Sequence, residues 1–335
     1  MEDADLIREA LRRDERVLAT ITQVDGHAYR KAGAMMLLKS DGGRSGTLSP
    51  GCLEADLMAH AQGVLQEGLP RLVAYDMRPE EDLSWGEQIG CGGRMEVLLE
   101  PVKGALRTAL RQAGASLDAG YPVWLLRELD EAGLPASYSI LYAREAAEAL
   151  CRKDTWQLRL EPKPRLLLFG AGDDAIPLSQ LAQQAGFSVT ITDFREALCR
   201  EERFPGAKLV TGFPQETVPR LRPASGDYVV VMSHQLQRDR QFLELVAPSK
   251  PRYIGVMGSA ARKSRLLGDL VKPAAVTCPV GMPIGADGPF EIAISIVAQL
   301  IQARRGGDRD EAERDRSHLF GSGEQPAHGL SQAIG

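Results

Sequence analysis

The sequence lacks several features that would assign it to common classes of protein. Its five cysteines are scattered and never spaced as CxxC, which argues against a disulfide framework and a structural zinc site. No apolar run approaches the roughly 18–20 residues that cross a bilayer, and the charged start MEDADLIREALRRDER has no apolar signal core. We therefore expect a cytoplasmic protein with reduced thiols and no membrane partner.

Charge and motif content exclude further classes. Lysine and arginine number 40 against 45 acidic residues, and no long basic run is present, so nucleic acid is a poor candidate partner. The five histidines do not form a metal-ligand spacing, and neither HExxH nor GxSxG occurs. Hydrolase chemistry is therefore disfavoured.

The pattern of apolar residues changes at EPKP (161–164), which reads as a linker. Before it, short strands outnumber helices, and this predicts a mixed α/β N-terminal domain over residues 1–160. After it, apolar strands and helices alternate strictly, which predicts a Rossmann-like, doubly wound parallel sheet over residues 161–304. The last strong segment, PFEIAISIVAQLIQAR, is apolar around most of its circumference, so we expect a largely buried helix. Residues 305–335 are charged or small and predict a disordered tail.

A glycine-rich turn opens the second domain. The strand RLLLF runs into Gly170-Ala171-Gly172, and Ala175 completes a GxGxxA pattern at the start of a helix. Such a turn lets a phosphate approach the backbone at a helix N-terminus. Asp193 ends the next strand, 21 residues after Gly172, where a carboxylate would meet a ribose hydroxyl.

The residues around this turn leave its ligand open. Asp173 and Asp174 would repel a pyrophosphate, or they simply complement the helix dipole in a domain that holds no dinucleotide. Arg195 either pairs with a 2′-phosphate or is a solvated surface charge. His234 follows the strand DYVVVM at the edge where parallel sheets bind ligands, although a locally hydrogen-bonded loop residue is the alternative.

Three glycine-rich segments of the first domain stand beside a cysteine or a charge: GHAYRKAGA (26–34), GTLSPGCLEAD (46–56) and WGEQIGCGGRMEV (85–97). Cys52 lies at a predicted helix start, where the dipole lowers a thiol pKa and favours a nucleophile or a soft metal ligand. Cys91 lies in a turn between glycines. Each of the two thiols has the alternative of being a small buried core residue.

Together these segments resemble the XdhC/CoxI family, accessory proteins of xanthine dehydrogenase and related molybdenum hydroxylases. The resemblance covers most of residues 17–303. It rests on the three segments above and on GLPRLVAYDM in the first domain. In the second domain it rests on LLLFGAGDDAIPLSQLAQQAGFSVTITDFR, ERFPGA, YIGVMGSAARKSRL and PVGMPIGADGPFEIAISIVAQLI. The chain departs from the family pattern at Ser49-Pro50-Gly51, at Asp173 and at Phe290.

The resemblance implies binding of the molybdenum cofactor, help with its sulfuration by a cysteine desulfurase, and its delivery to an apo-xanthine dehydrogenase or related molybdenum hydroxylase. Whether the cofactor is molybdopterin or its cytosine dinucleotide stays open. Cys52 and Cys91 are candidate ligands of the molybdenum. The candidate cofactor-binding residues, with His234 added from its position, are Arg30, Gly33, Gly51, Cys52, Glu54, Cys91, Gly92, Gly93, Gly170, Gly172, Asp193, Arg195, His234, Gly258, Ser259 and Arg262.

Three functions remain in competition. The first is a cofactor-binding maturation factor with no turnover chemistry of its own, which the missing acid–base set favours. The second is an NAD(P)-dependent oxidoreductase that uses the GxGxxA turn and Asp193. The third is a scaffold that recruits proteins through its first domain. A homodimer fits the usual preference for closed symmetric assemblies.

Overall fold

The structure is a computed structural model that describes residues 2–12, 15–51, 53–77, 93–143, 145–146, 152, 154–268 and 276–319. Within these ranges, the side chains of Ala260, Leu267 and residues 307–319 are not described. The chain divides into two compact units, Met1–Lys163 and Pro164–Gly335. The division falls within EPKP.

The first unit contains two antiparallel sheets. One has five strands in the order β3-β2-β1-β5-β4, and the other has three in the order β7-β6-β8. The strands are β1 Arg16–Asp25, β2 Met35–Lys39, β3 Arg44–Gly46, β4 Arg71–Asp76, β5 Arg94–Pro101, β6 Val123–Leu129, β7 Pro135–Leu141 and β8 Thr155–Leu160. Most of them follow the apolar alternation of the sequence, so the predicted mixed α/β unit is confirmed.

Among the described residues of this unit, three helices cover these sheets: α1 Asp3–Leu11, α2 Glu54–Glu67 and α3 Gly104–Asp118. Helices α1 and α3 share one core with residues of both sheets, including Leu18 and Leu125. Helix α2 packs Leu57 and Val64 into a second core formed with the five-stranded sheet. The five-stranded sheet is thus covered on both faces, and α2 begins within the GTLSPGCLEAD segment (46–56).

A fully buried ion pair joins the two sheets. Glu100 on β5 accepts two hydrogen bonds from Arg127 on β6, from Nε at 2.8 Å and from Nη2 at 2.7 Å, and neither side chain is exposed. The Arg127 guanidinium also lies over the Trp156 ring, 4.5 Å from its centroid. This pair fixes the approach of β6 to β5 in the middle of the apolar core.

The second unit is built on one parallel sheet in the order β11-β10-β9-β12-β13-β14. Its strands are β9 Arg165–Phe169, β10 Ser188–Asp193, β11 Lys208–Thr211, β12 Tyr228–Val231, β13 Tyr253–Val256 and β14 Val276–Thr277. The order reverses between β9 and β12, and such a switch point is where doubly wound sheets bind ligands. The predicted Rossmann-like parallel sheet is confirmed.

Helices lie on both faces of the parallel sheet. They are α4 Ala175–Gln184, α5 Pro214–Leu221, α6 Leu236–Val246, α7 Ala260–Leu267 and α8 Gly288–Leu319. One core holds Leu178 of α4 and Ile296 of α8. The opposite core holds Val218, Phe242 and Leu266 from α5, α6 and α7. Burial on both faces explains why the central strands β9 and β12 are mostly apolar.

Helix α8 differs from the sequence prediction in two ways. Phe290, Ile294 and Ile301 are 63%, 51% and 36% exposed, so the expectation of a largely buried helix is wrong. The sequence shows that apolar residues surround the helix, but it does not show how many other elements pack against it. The helix also continues to Leu319, through the first part of the segment predicted to be a disordered tail. Among the described residues, no helix is long and apolar enough to span a membrane.

Candidate functional site

The two glycines of the GxGxxA turn have different surroundings. Gly170 has a φ of +123°, and a Cβ there would lie 2.6 Å from the backbone carbon of Met232 and the backbone nitrogen of Ser233. A Cβ at Gly172 would meet nothing within 4 Å. Gly170 therefore permits close packing against the end of β12, whereas Gly172 borders open space that a ligand can enter.

The carboxylate of Asp193, at the end of β10, already accepts hydrogen bonds from groups of its own unit. Its buried carboxylate accepts hydrogen bonds from the Ala171 amide at 2.7 Å and from the amide, Nε and Nη2 of Arg195 at 2.8, 2.9 and 2.8 Å. Burial acts to raise the pKa of Asp193, but the hydrogen bonds from Arg195 and Ala171 outweigh it and hold the pKa below its usual value. A ribose hydroxyl would have to displace Arg195 to reach this carboxylate.

Each acidic residue of the turn has a basic residue nearby, which the sequence did not reveal. Asp173 receives a hydrogen bond from Arg203 Nη2 at 2.6 Å, and Arg203 Nη1 also donates to the Ala171 carbonyl at 2.8 Å. Asp174 Oδ2 lies 3.6 Å from Nε2 of His234, whose φ is +62°. Arg203 belongs to the ERFPGA segment, so this segment contributes a cation to the turn and offsets part of the expected repulsion of phosphate.

A buried polar chain holds Arg262 near the same edge of the sheet. Arg262 Nη2 donates to Asp239 Oδ2 at 2.5 Å, and the Ser233 hydroxyl donates to the other oxygen of Asp239. Asp239 is 1% exposed and Arg262 is 22% exposed. Burial raises the pKa of Asp239, although its bonds with Ser233 and Arg262 oppose the rise. The guanidinium is therefore anchored by Asp239, and the Arg262 side chain remains partly exposed.

Gly258 and Ser259 allow Arg262 to occupy this position. The Ser259 hydroxyl accepts the Arg262 amide at 3.3 Å and caps α7. Gly258 has a φ of +133°, and a Cβ there would collide with the Arg262 side chain. The Cys278 thiol donates to the Gly258 carbonyl at 3.4 Å, and burial raises its pKa.

Sequence reasoning missed Ser233, Asp239, Arg203 and Cys278. The only available signal for Ser233 was its place directly after the strand DYVVVM, beside His234. Asp239 and Arg203 gain their importance from contacts made far along the chain, which no local pattern indicates.

In the first unit, the loop before α2 is organised by Glu54. The Glu54 carboxylate is buried and accepts the amide of Ser49 at 3.1 Å together with the Ser49 hydroxyl. The Ser49 oxygen in turn accepts the amides of Gly51 and Leu53, each at 3.2 Å. Glu54 and Ser49 therefore stabilise the conformation of this loop through hydrogen bonds. Cys52, Cys91 and Gly92 lie outside the described residues.

The remaining first-unit candidates lie in loops around β1 and β5. Arg30 is exposed between β1 and β2, and the Gly33 amide donates to the Ile21 carbonyl at 2.8 Å. A Cβ at Gly93 would lie 2.6 Å from the carbonyl oxygens of Asp25 and His27, so only glycine fits there. Among the described residues, no group of three or more histidine, cysteine or acidic side chains could hold a metal.

Comparisons with known proteins identify the family of this chain. Residues 166–300 match the family model described as the XdhC Rossmann domain, and residues 10–76 match that of the XdhC and CoxI family. A Bacillus subtilis protein, named as one of the probable subunits of xanthine dehydrogenase, is 37% identical over 87% of this chain and 94% of its own length. The Escherichia coli molybdenum cofactor insertion chaperone PaoD is 23% identical over 88% of this chain and 85% of its own.

A solved structure is also similar to this chain in fold and sequence. The crystal structure of a Bacillus halodurans protein described as a xanthine dehydrogenase has a TM-score of 0.84 and 40% identity. The similarity covers 91% of this chain and 96% of that one. The chain therefore belongs to the XdhC and CoxI family.

Proposed function

We propose that this chain is a maturation factor for a molybdenum hydroxylase. It would bind the molybdenum cofactor, support its sulfuration by a cysteine desulfurase, and deliver it to an apo-xanthine dehydrogenase or a related enzyme. The observation that carries this proposal is the similarity to PaoD, a molybdenum cofactor insertion chaperone, over 88% of this chain. The cofactor is then cargo, and Cys52 and Cys91 are the candidate thiolates for its metal.

The second unit offers a site for the phosphate of such a cargo. The space above Gly172 is open, and the amides at the start of α4 favour an anion. Arg203 neutralises the exposed Asp173 beside them. Arg262 supplies a guanidinium at the same sheet edge, held by Asp239. These features support phosphate binding without a catalytic acid–base pair.

We expect Gly172→Val to abolish retention of the molybdenum cofactor while leaving the fold intact. The new side chain would meet no protein atom near its Cβ, but it would fill the space through which a phosphate reaches the backbone. Pterin content of the purified protein measures retention. Gly226→Val is the matched control, because a Cβ at Gly226 also meets nothing within 4 Å. Equal retention by wild type and Gly172→Val would place the phosphate elsewhere.

The substitution Arg262→Ala tests whether the Arg262 guanidinium contributes to cofactor binding. Loss of a charge-assisted hydrogen bond costs on the order of 1.5–3 kcal/mol, so we expect cofactor affinity to fall about tenfold or more. This substitution also leaves Asp239 buried without its cation. The double variant Arg262→Ala/Asp239→Ala removes both charges and should bind as weakly. Arg240→Ala, at an exposed pair with Glu244, is the control. Affinity within twofold of wild type in both Arg262 variants would rule out a role for Arg262.

An NAD(P)-dependent oxidoreductase is the second candidate, favoured by the sheet order and the GxGxxA turn. The engaged carboxylate of Asp193 weighs against it, since the ribose hydroxyls lose their expected partner. Titration with NADH, NADPH and isolated molybdenum cofactor separates the candidates. Retention of the molybdenum cofactor alone supports the maturation factor, binding of a nicotinamide cofactor supports the oxidoreductase, and binding of neither supports a protein scaffold.

A further inference from the structure

Helix α8 carries an exposed apolar stripe. Phe290, Ile294, Ala298 and Ile301 follow each other at intervals of four, four and three residues, which places them on one face of the helix. All four are exposed, and Phe290 and Ile294 are more than half exposed. The opposite face of the same helix is buried through Ala293, Ile296 and Leu300. The helix is thus anchored in its own unit and presents a second apolar face outward.

The charges at the two ends of this stripe are opposite. Glu291 lies seven residues before Ala298 and Arg305 lies seven residues after it, about 10 Å along the helix in each direction. Both side chains are exposed. The stripe is also nearly symmetric in its apolar residues, because Ile294 lies four residues before Ala298 and Ile301 three after it.

This arrangement is complementary to itself. If two copies of α8 cross antiparallel with a two-fold axis beside Ala298, the small alanines allow close approach at the centre. Ile294 of each copy then faces Ile301 of the other, and Glu291 faces Arg305 at both ends. A two-fold interface requires such a self-complementary patch. A parallel arrangement would instead bring like charges together at each end.

We propose that the stripe Phe290–Ile301 of α8 is the dimer interface for a second copy of this chain. The contact spans about three turns of helix, smaller than a standard protein interface. The dimer should therefore dissociate on dilution.

Sedimentation velocity from about 1 to 100 µM measures this equilibrium in the full-length protein. We expect the wild type to shift from monomer to dimer across the range. Ile294→Glu should weaken association by at least tenfold, because each copy would bury an unpaired carboxylate against Ile301 of the other. Leu245→Glu, at a 38% exposed leucine of α6, is the matched control and should dimerise like wild type.

A charge exchange tests the register. Glu291→Arg and Arg305→Glu should each weaken the dimer, and the double variant should restore it, because opposite charges would again face each other. Far-UV circular dichroism and thermal melting establish that each variant is folded. A wild type that stays monomeric throughout the range would overturn the proposal. So would a dimer insensitive to Ile294→Glu, or a double variant that associates no better than the single ones.

Discussion

Replacement of Arg127 by Met is expected to destabilise the first unit by about 3–5 kcal/mol. The substitution preserves most of the side-chain volume but leaves the Glu100 carboxylate fully buried and without its cation. The energetic penalty comes from this uncompensated charge, since a buried ion pair by itself contributes little net stability. Tyr138, whose pKa is raised by burial and by Glu100, is another polar neighbour and does not supply a positive charge.

Tryptophan fluorescence isolates this effect, because Trp85, Trp124 and Trp156 all fall within residues 1–163. We expect the Tm of the fluorescence transition to fall by on the order of 10 °C. Arg71→Met is the control, because its pair with Glu67 is exposed and should contribute no more than about 1 kcal/mol. The double variant Glu100→Leu/Arg127→Met should recover most of the loss. A single variant as stable as Arg71→Met would show that the core tolerates the lone carboxylate.

The sequence predicted the architecture well where hydrophobic periodicity was strong. The parallel sheet is an example, because β12 is apolar throughout, β9 is apolar after Arg165, and each strand is followed by a helix. The glycine-rich turn likewise lies between β9 and α4, as its spacing indicates. Both features depend on residues adjacent in the chain, so a local pattern can report them.

Features that depend on distant contacts were not predicted. Helix α1 buries Leu6 and Ile7, yet its sequence reads as a charged terminus because polar residues surround a narrow apolar face. The exposed stripe of α8 could not be distinguished from a buried face, because the pattern shows only that residues are apolar. Similarly, nothing near Asp173 in the chain indicates that Arg203 would pair with it.

The two glycines of the GxGxxA turn are required for different structural reasons. The sequence assigns Gly170 to a tight turn and Gly172 to ligand approach, but the pattern does not show how much space surrounds either one. In the structure, the backbone of Met232 and Ser233, directly after β12, lies against Gly170, whereas Gly172 has no neighbour near its Cβ position. We therefore expect the same substitution to impair folding at Gly170 and ligand binding at Gly172.

We expect Gly170→Ala to destabilise the second unit by about 3 kcal/mol or more, since it adds backbone strain at a positive φ to an overpacked contact. The new methyl group would face backbone atoms of Met232 and Ser233, which cannot rotate away as a side chain would. Movement of this segment would also disturb Ser233 and its bond to Asp239. Hydrogen exchange of β9 and β12 in the full chain measures the loss. Gly172→Ala is the control and should exchange like wild type. Equal protection in both variants would mean that the end of β12 moves aside at little cost, and that close packing at Gly170 does not fix the glycine-rich turn.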